Sequence, residues 1–327
     1  MPVTSVDKDL EGLTMTIVAD FPVTVRRLWD AYVDPRQLER FWGPPEWPAT
    51  FTRHDIYPGG RSEYYMTGPD GSRSGGYWEH LAVDEGNSFE ILDGFTHEDG
   101  RPNTELPTMR ATFAFEETDS GARLTTTTYF NSLDELEKLL AMGVEEGTRS
   151  AMAQIDDVLA DLRSFAADRA TAAQLLSDTQ VRISRVLRGT LQQIWDAHHD
   201  PALLRLWSFG PDGWSMTVCK PAAAPGERHR YEFSPEQGVE GETFALTGEL
   251  LESDPPYREV FTETMEGVDG PPTLNEQTLT PVEGGTLVSL VVTYADKEMR
   301  DIILGTGMTD GMEAGYRRLE SEVLSRA

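Results

Sequence analysis

Apolar positions recur along this chain with two different periods, and the whole succession of periods occurs twice. Leu13, Met15 and Ile17 alternate with polar neighbours, and Val181 and Ile183 do the same later. A period of two predicts a strand with one buried face. Val25, Leu28, Trp29 and Tyr32 then follow the i, i+3, i+4, i+7 stripe of an amphipathic helix, repeated at Leu191, Ile194 and Trp195. Thr24 and Thr190 stand where an N-cap hydroxyl accepts from a free amide N–H, and Gln193 completes a capping box that Arg27 cannot. Asp34-Pro35 and Asp200-Pro201 end one helix and begin another, because Asp caps and Pro suits the first helical turn.

Alternating segments separated by turn residues come next. In the first copy they are 61–66, 75–83, 88–92, 109–116 and 124–130; in the second, 260–265 and 287–294 are the clearest. Strands at this spacing predict an antiparallel sheet. Each copy closes with a helical stripe: Met152, Ile155, Val158, Leu159 and Leu162 in one, Met308, Met312, Leu319 and Val323 in the other. Each unit therefore reads β-α-α-β(several)-α, an α+β arrangement in which a bent sheet grips one long C-terminal helix and leaves a cavity between them.

The repeat extends beyond the first helix. Gly43-Pro44 and Trp47 align with Gly210-Pro211 and Trp214, and Gly59-Gly60-Arg61 and Tyr64 with Gly226-Glu227-Arg228 and Tyr231. Gly76 and Phe89 align with Gly248 and Phe261, Thr128-Tyr129 with Thr293-Tyr294, and Gly143 and Gly147 with Gly307 and Gly311. These matches place one domain at 11–165 and a second at 178–327, with 166–177 as a linker or helix extension.

Composition narrows the function classes. The net charge is -28 and both halves are acidic, so phosphate backbones and anionic lipid surfaces are repelled. No nucleic-acid or membrane partner is expected. No apolar run approaches the roughly 20 residues that span a bilayer, and the first residues lack a signal-peptide pattern. With Cys219 as the only cysteine, neither a disulfide framework nor a thiolate metal site is expected, and a cytoplasmic address fits.

No catalytic constellation emerges. The six histidines, His54, His80, His97, His198, His199 and His229, include no helical i, i+4 metal pair, and no metal or cofactor is expected. Gly305, Gly307 and Gly311 have the wrong spacing for a dinucleotide fingerprint and read as shaping the start of the last helix. Cys219 reads as structural, since its neighbour Lys220 points to the other face of the strand. Glu79 and Glu249 fall in a strand expected to cross the cavity, where a buried carboxyl could serve as acid or base.

The run Pro22-x-x-x-Arg26-x-Leu28-Trp29-Asp30-Ala31-Tyr32-x-Asp34-Pro35, followed by Leu38 and Phe41-Trp42-Gly43-Pro44, resembles the heat-shock-protein-90 ATPase activator homologue-like branch of the START/Bet v 1-like (SRPBCC) superfamily. Tyr57-Pro58-Gly59-Gly60-Arg61 and the second copy's 248–261 carry the same resemblance. It implies two tandem helix-grip domains, each a curved antiparallel sheet wrapped around a long C-terminal helix. It does not imply one function, because fold and function are separable. Three readings follow. One is a soluble binding protein for a small, largely apolar, aromatic or polyketide-like molecule. Another is a cyclase, aromatase or hydrolase using the same cavity. The last is a chaperone co-activator-like interaction module. The two copies could also pack as an intramolecular pseudo-dimer.

In a helix-grip domain the first copy's cavity would be lined by Trp42, Trp47, Tyr64, Met66 and Trp78, with Tyr65 and Met109 nearby. Phe95, Phe113 and Met142 continue the wall, and His97, Arg110 and Tyr64 are the candidate polar anchors. The second copy's counterparts are Trp207, Trp214, Tyr231, Met265 and Met308. That copy departs from the pattern: His198 and His199 replace Tyr32 and Val33, and Phe41-Trp42-Gly43-Pro44 becomes Trp207-Ser208-Phe209-Gly210-Pro211. These departures make it the weaker candidate for function.

Overall fold

The computed structural model describes residues 3–97, 100–161, 170–210 and 212–326. The chain divides into two compact units, Met1–Arg163 and Ser164–Ala327. The expected linker at 166–177 falls partly outside the described residues.

The first unit runs β1 (Val3–Asp9), β2 (Thr14–Phe21), α1 (Val25–Val33), α2 (Pro35–Leu38), β3 (Ala49–His54), β4 (Arg61–Thr67), β5 (Arg73–Asp84), β6 (Ser88–Thr96), β7 (Met109–Thr118), β8 (Gly121–Tyr129), α3 (Leu133–Ala141) and α4 (Val144–Ala160). The second runs β9 (Ala172–Leu175), β10 (Gln180–Leu187), α5 (Leu191–His199), α6 (Pro201–Trp207), β11 (Trp214–Lys220), β12 (Arg228–Pro235), β13 (Phe244–Asp254), β14 (Arg258–Met265), β15 (Thr273–Val282), β16 (Gly285–Thr293), α7 (Lys297–Gly305) and α8 (Met308–Arg318). Each unit holds one eight-stranded antiparallel sheet, in the order β1-β2-β8-β7-β6-β5-β4-β3 and, equivalently, β9-β10-β16-β15-β14-β13-β12-β11. The α+β class and the tandem organisation hold.

The caps act as the sequence suggests. The Thr24 and Thr190 hydroxyls accept from the Arg27 and Gln193 N–H groups, and Gln193 closes a reciprocal box on Thr190. Arg27 instead turns into the first unit's core, donating to Gln37 Oε1 at 2.6 Å and to the Val158 carbonyl at 3.0 Å.

Three features differ from the pattern reading. Each sheet gains edge strands that the pattern did not name, β1 and β3 in the first and β9 and β11 in the second. The side chains of β1 and β9 are almost all exposed, so neither shows apolar alternation. Each unit closes with two helices rather than one, broken at Gly143 and Gly307. Both glycines sit at positive φ (87° and 83°), where a side chain would strain the backbone. In the first unit the apolar stripe is real but confined to the last helix, where Met152, Ile155, Val158 and Leu159 are buried; Leu162 lies outside the described residues.

The third difference is register. The β5–β6 hairpin closes with Asp84 opposite Ser88, and β13–β14 with Asp254 opposite Arg258. The bulges also correspond, at His80/Ala82 and Leu250/Glu252. Gly248 is therefore the counterpart of Trp78, not Gly76, and Phe261 that of Ile91, not Phe89. A slip of two keeps the same face of a strand, so alternation alone could not reveal it.

Candidate functional sites

The first unit has a cavity of about 200 Å³ between the sheet and α4. Tyr64 and Met66 reach it from β4, Ile91, Asp93 and Phe95 from β6, and Met109, Ala111 and Phe113 from β7. Trp42 comes from the turn after α2, and Thr148, Ala151 and Met152 from α4. Beneath it lies an aromatic core in which Phe89 stacks on Phe113 at 4.5 Å and Tyr32 meets Phe41 edge-on at 5.1 Å.

Of the residues singled out from the sequence, Trp42, Tyr64, Met66, Phe95, Met109 and Phe113 line this cavity. The others lie elsewhere. Trp78 is fully buried behind the wall, edge-on to Trp42 at 4.5 Å. Trp47 covers Gly68, where a Cβ would come within 2.7 Å of its ring. Tyr65 stacks under the Arg73 guanidinium. His97 is exposed just past the end of β6, Met142 is exposed at the end of α3, and Arg110 is on the outer face, paired with Glu90. The face of a strand is set by its alternation, and Arg110 falls out of phase with inward-facing Met109 and Ala111.

The carboxyl in the cavity is Asp93, which the sequence reading did not select. It keeps some accessible surface because it faces the cavity, yet protein surrounds it. Burial raises its pKa to about 7, while the Gly94 N–H, the Tyr64 hydroxyl and the Trp78 indole favour the ionised form and pull back. Among the described residues the indole N–H groups of Trp42 and Trp78 meet no acceptor at hydrogen-bond geometry; that of Trp42 acts on Tyr64 and not on Asp93. Tyr64 can lie here because Gly76 is opposite it; a Cβ there would sit 2.5 Å from the Tyr64 hydroxyl. The signal was present in the sequence: Phe89, Ile91, Asp93 and Phe95 alternate, so the acid occupies an apolar phase. Glu79, the carboxyl expected in the cavity, is exposed on the outer face.

Behind this wall Ser62 Oγ lies 2.9 Å from both His54 Nδ1 and His80 Nε2. Residue types suited to nucleophilic chemistry meet here, but Ser62 and His80 are 0% and 1% exposed and neither lines the cavity. Burial, then His54, lowers His80 to about 3, so it is a neutral core histidine.

The second unit has its own cavity of about 180 Å³, with different chemistry. Trp207, Tyr231, Phe233 and Phe261 form its aromatic walls, and His198, His199, His229, Glu259, Glu263 and Gln277 also line it. His199 Nε2 is 2.9 Å from Glu259 Oε2, and its Nδ1 is 2.7 Å from the Trp195 carbonyl. Burial lowers His199, but the Glu259 carboxylate outweighs that and leaves its pKa raised. Burial lowers both His198 and His229. Glu263 sits five residues past its hairpin-closing residue, as Asp93 does, so the two acids are equivalent. Burial raises Glu263 to about 7 as well.

Of the second copy's candidates, Trp207 and Tyr231 line this cavity. Trp214 lines a separate depression with Arg205 and Glu236, Met265 is 42% exposed, and Met308 packs beside Val181 and Val292. Glu249 lies outside the cavity. Cys219 is buried, which pushes its thiol pKa up, consistent with a structural role. Among the described residues no three His, Cys, Asp or Glu side chains converge as a metal requires. None of the helices so described is long and apolar enough to cross a membrane.

Two α+β units, each with an acid-bearing cavity, define a tandem of cavity domains. The family model "Activator of Hsp90 ATPase homolog 1-like protein" matches residues 22–160 and again 188–323, most of the chain. The chain belongs to this family, within the SRPBCC superfamily. Among solved structures it is similar to a Mycobacterium smegmatis protein, with 52% identity over 49% of this chain and 98% of that one (TM-score 0.46). An Arthrobacter aurescens protein is 46% identical over 49% of this chain and 92% of its own (TM-score 0.47). A Rhodobacter sphaeroides protein is 33% identical over 48% and 99% (TM-score 0.44). No curated protein matches the chain.

Proposed function

We propose that the first unit binds a small, largely apolar molecule, aromatic or polyketide-like, in its cavity. The observation that carries this reading is a cavity of about 200 Å³ walled by aromatic and aliphatic side chains with one carboxyl, Asp93, beside Tyr64. Apolar walls supply affinity, and a few polar groups orient the ligand. The chain is read as a soluble cytoplasmic protein.

Native mass spectrometry of the purified chain, followed by denaturing extraction, tests this. One apolar small molecule per chain is expected, or uptake of an added naphthalene-type probe. Gly147→Phe should abolish either, since Gly147 lines the cavity and a Cβ there meets no atom within 4 Å. An empty chain that also ignores the probe would sink the reading.

Asp93 also supports a second reading, a cyclase-, aromatase- or hydrolase-type enzyme, because a carboxyl that exchanges its proton near pH 7 suits acid–base work. Asp93→Asn would then stop turnover while sparing binding. The chaperone co-activator reading rests on the family's name alone.

A further inference from the structure

We propose that the second unit's cavity is a separate binding site for a small organic cation, a primary or secondary ammonium on an apolar body, held between the Glu263 carboxylate and His229 Nε2.

The polar end of this cavity lacks its partners. His229 is 4% exposed and lines the cavity, and among the described residues its Nε2 has no hydrogen-bond partner. Glu263 Oε2 lies 3.9 Å from that nitrogen, too far for a direct hydrogen bond. A single nitrogen placed between them could donate to both. The equivalent acid in the first unit differs in this respect: the Gly94 N–H, the Tyr64 hydroxyl and the Trp78 indole favour its ionised form, whereas burial is the one influence acting on Glu263.

Charge selects a cation over a neutral donor. The groups that line the cavity with Glu263 are His198 and His199 from α5, His229 and Tyr231 from β12, Glu259 from β14 and Gln277 from β15, and buried Tyr294, just after β16, also feels its charge. Glu259 is matched by His199, while burial keeps His198 and His229 toward their neutral forms. No Lys or Arg lines the cavity among the described residues, so an ionised Glu263 leaves one negative charge uncompensated. Burial holds Glu263 near 7, so an arriving ammonium meets a carboxyl ready to release its proton.

Shape fits the same occupant. His229 stacks on Tyr231 at 5.3 Å and meets Phe261 edge-on at 5.6 Å, giving an aromatic wall around the acid. Ring faces attract cations. A cavity of about 150 Å³ already holds benzene, so about 180 Å³ admits one ring with an aminomethyl group.

The test is an NMR titration of the full chain at pH 8 with benzylammonium and, in parallel, benzyl alcohol. Saturable shifts are expected at amides of β12 and β14, with the alcohol weaker by about tenfold or more, as for loss of a charged hydrogen bond. Glu263→Gln should weaken the amine by a similar factor. Equal affinity for the alcohol would overturn the proposal whatever the variant does. So would no saturable shift with millimolar amine, or shifts confined to the first unit and removed by Asp93→Asn. The proposal does not depend on the first unit's reading, because the two respond to different variants.

Discussion

The two cavities are built on equivalent sheets with an equivalent tyrosine and acid, and one cross-strand pair beside those acids differs between them. In the first unit Ser62 faces Trp78; in the second, His229 faces Gly248. A small residue opposite a large one fills the same space in either order, as close packing requires. The exchange moves the polar group: the indole lies next to Asp93 in one unit, while an imidazole opens toward Glu263 in the other. A duplicated fold can thus keep its packing and change its chemistry. The second copy, which the sequence marks as the weaker candidate, holds more titratable groups around its cavity than the first.

The largest expected effects come from breaking that pair. Trp78→Ala removes a fully buried indole and should cost about 3–5 kcal/mol in the first unit. Gly248→Ala should destabilise the second unit by about 1–3 kcal/mol, because its Cβ would sit 1.6 Å from the Thr262 carbonyl oxygen. Chemical denaturation of each variant reads both. If Gly248→Ala were neutral, the equivalence of the two pairs would fail.

The acids sharpen the comparison at intermediate size. Folding raises Asp93 from 3.8 to about 7 and Glu263 from 4.5 to about 7. Each raised carboxyl stabilises the fold below its unfolded value, and that contribution is lost as pH rises toward 7. Asp93→Asn and Glu263→Gln should therefore stabilise the chain at pH 8 by roughly 1–3 kcal/mol. The gain should disappear near pH 4. Thermal unfolding across this range is the measurement, and a pH-independent difference would refute the assignment.

The smallest effect concerns the helix starts. Thr190→Ala should cost about 1 kcal/mol, and Thr24→Ala less, because only Thr190 is part of a reciprocal box with Gln193. Equal losses would mean that the box adds nothing.

Much of the fold could be read directly. The repeat, the capped helices and the alternating strands are local signals, each expressed within a few residues. Tyr64, Met66, Phe95 and Phe113 were legible as cavity wall because they are apolar or aromatic in the inward phase of their strands. Asp93 and Glu263 were not selected because an acid in an apolar phase looks like an exception until its surroundings are known. Glu79 misled for the converse reason: its strand lies between β4 and β6, which line the cavity, but its own phase faces outward.

By itself, then, the sequence determined a tandem of α+β units, since periodicity, caps and breaks depend on neighbouring residues. Tertiary structure alone decided which residues meet across strands. Register depends on hairpin closure and bulges, and a two-residue slip leaves every side chain on the same face while changing its partner. Only with the register in hand does Trp78 correspond to Gly248, and Asp93 to Glu263.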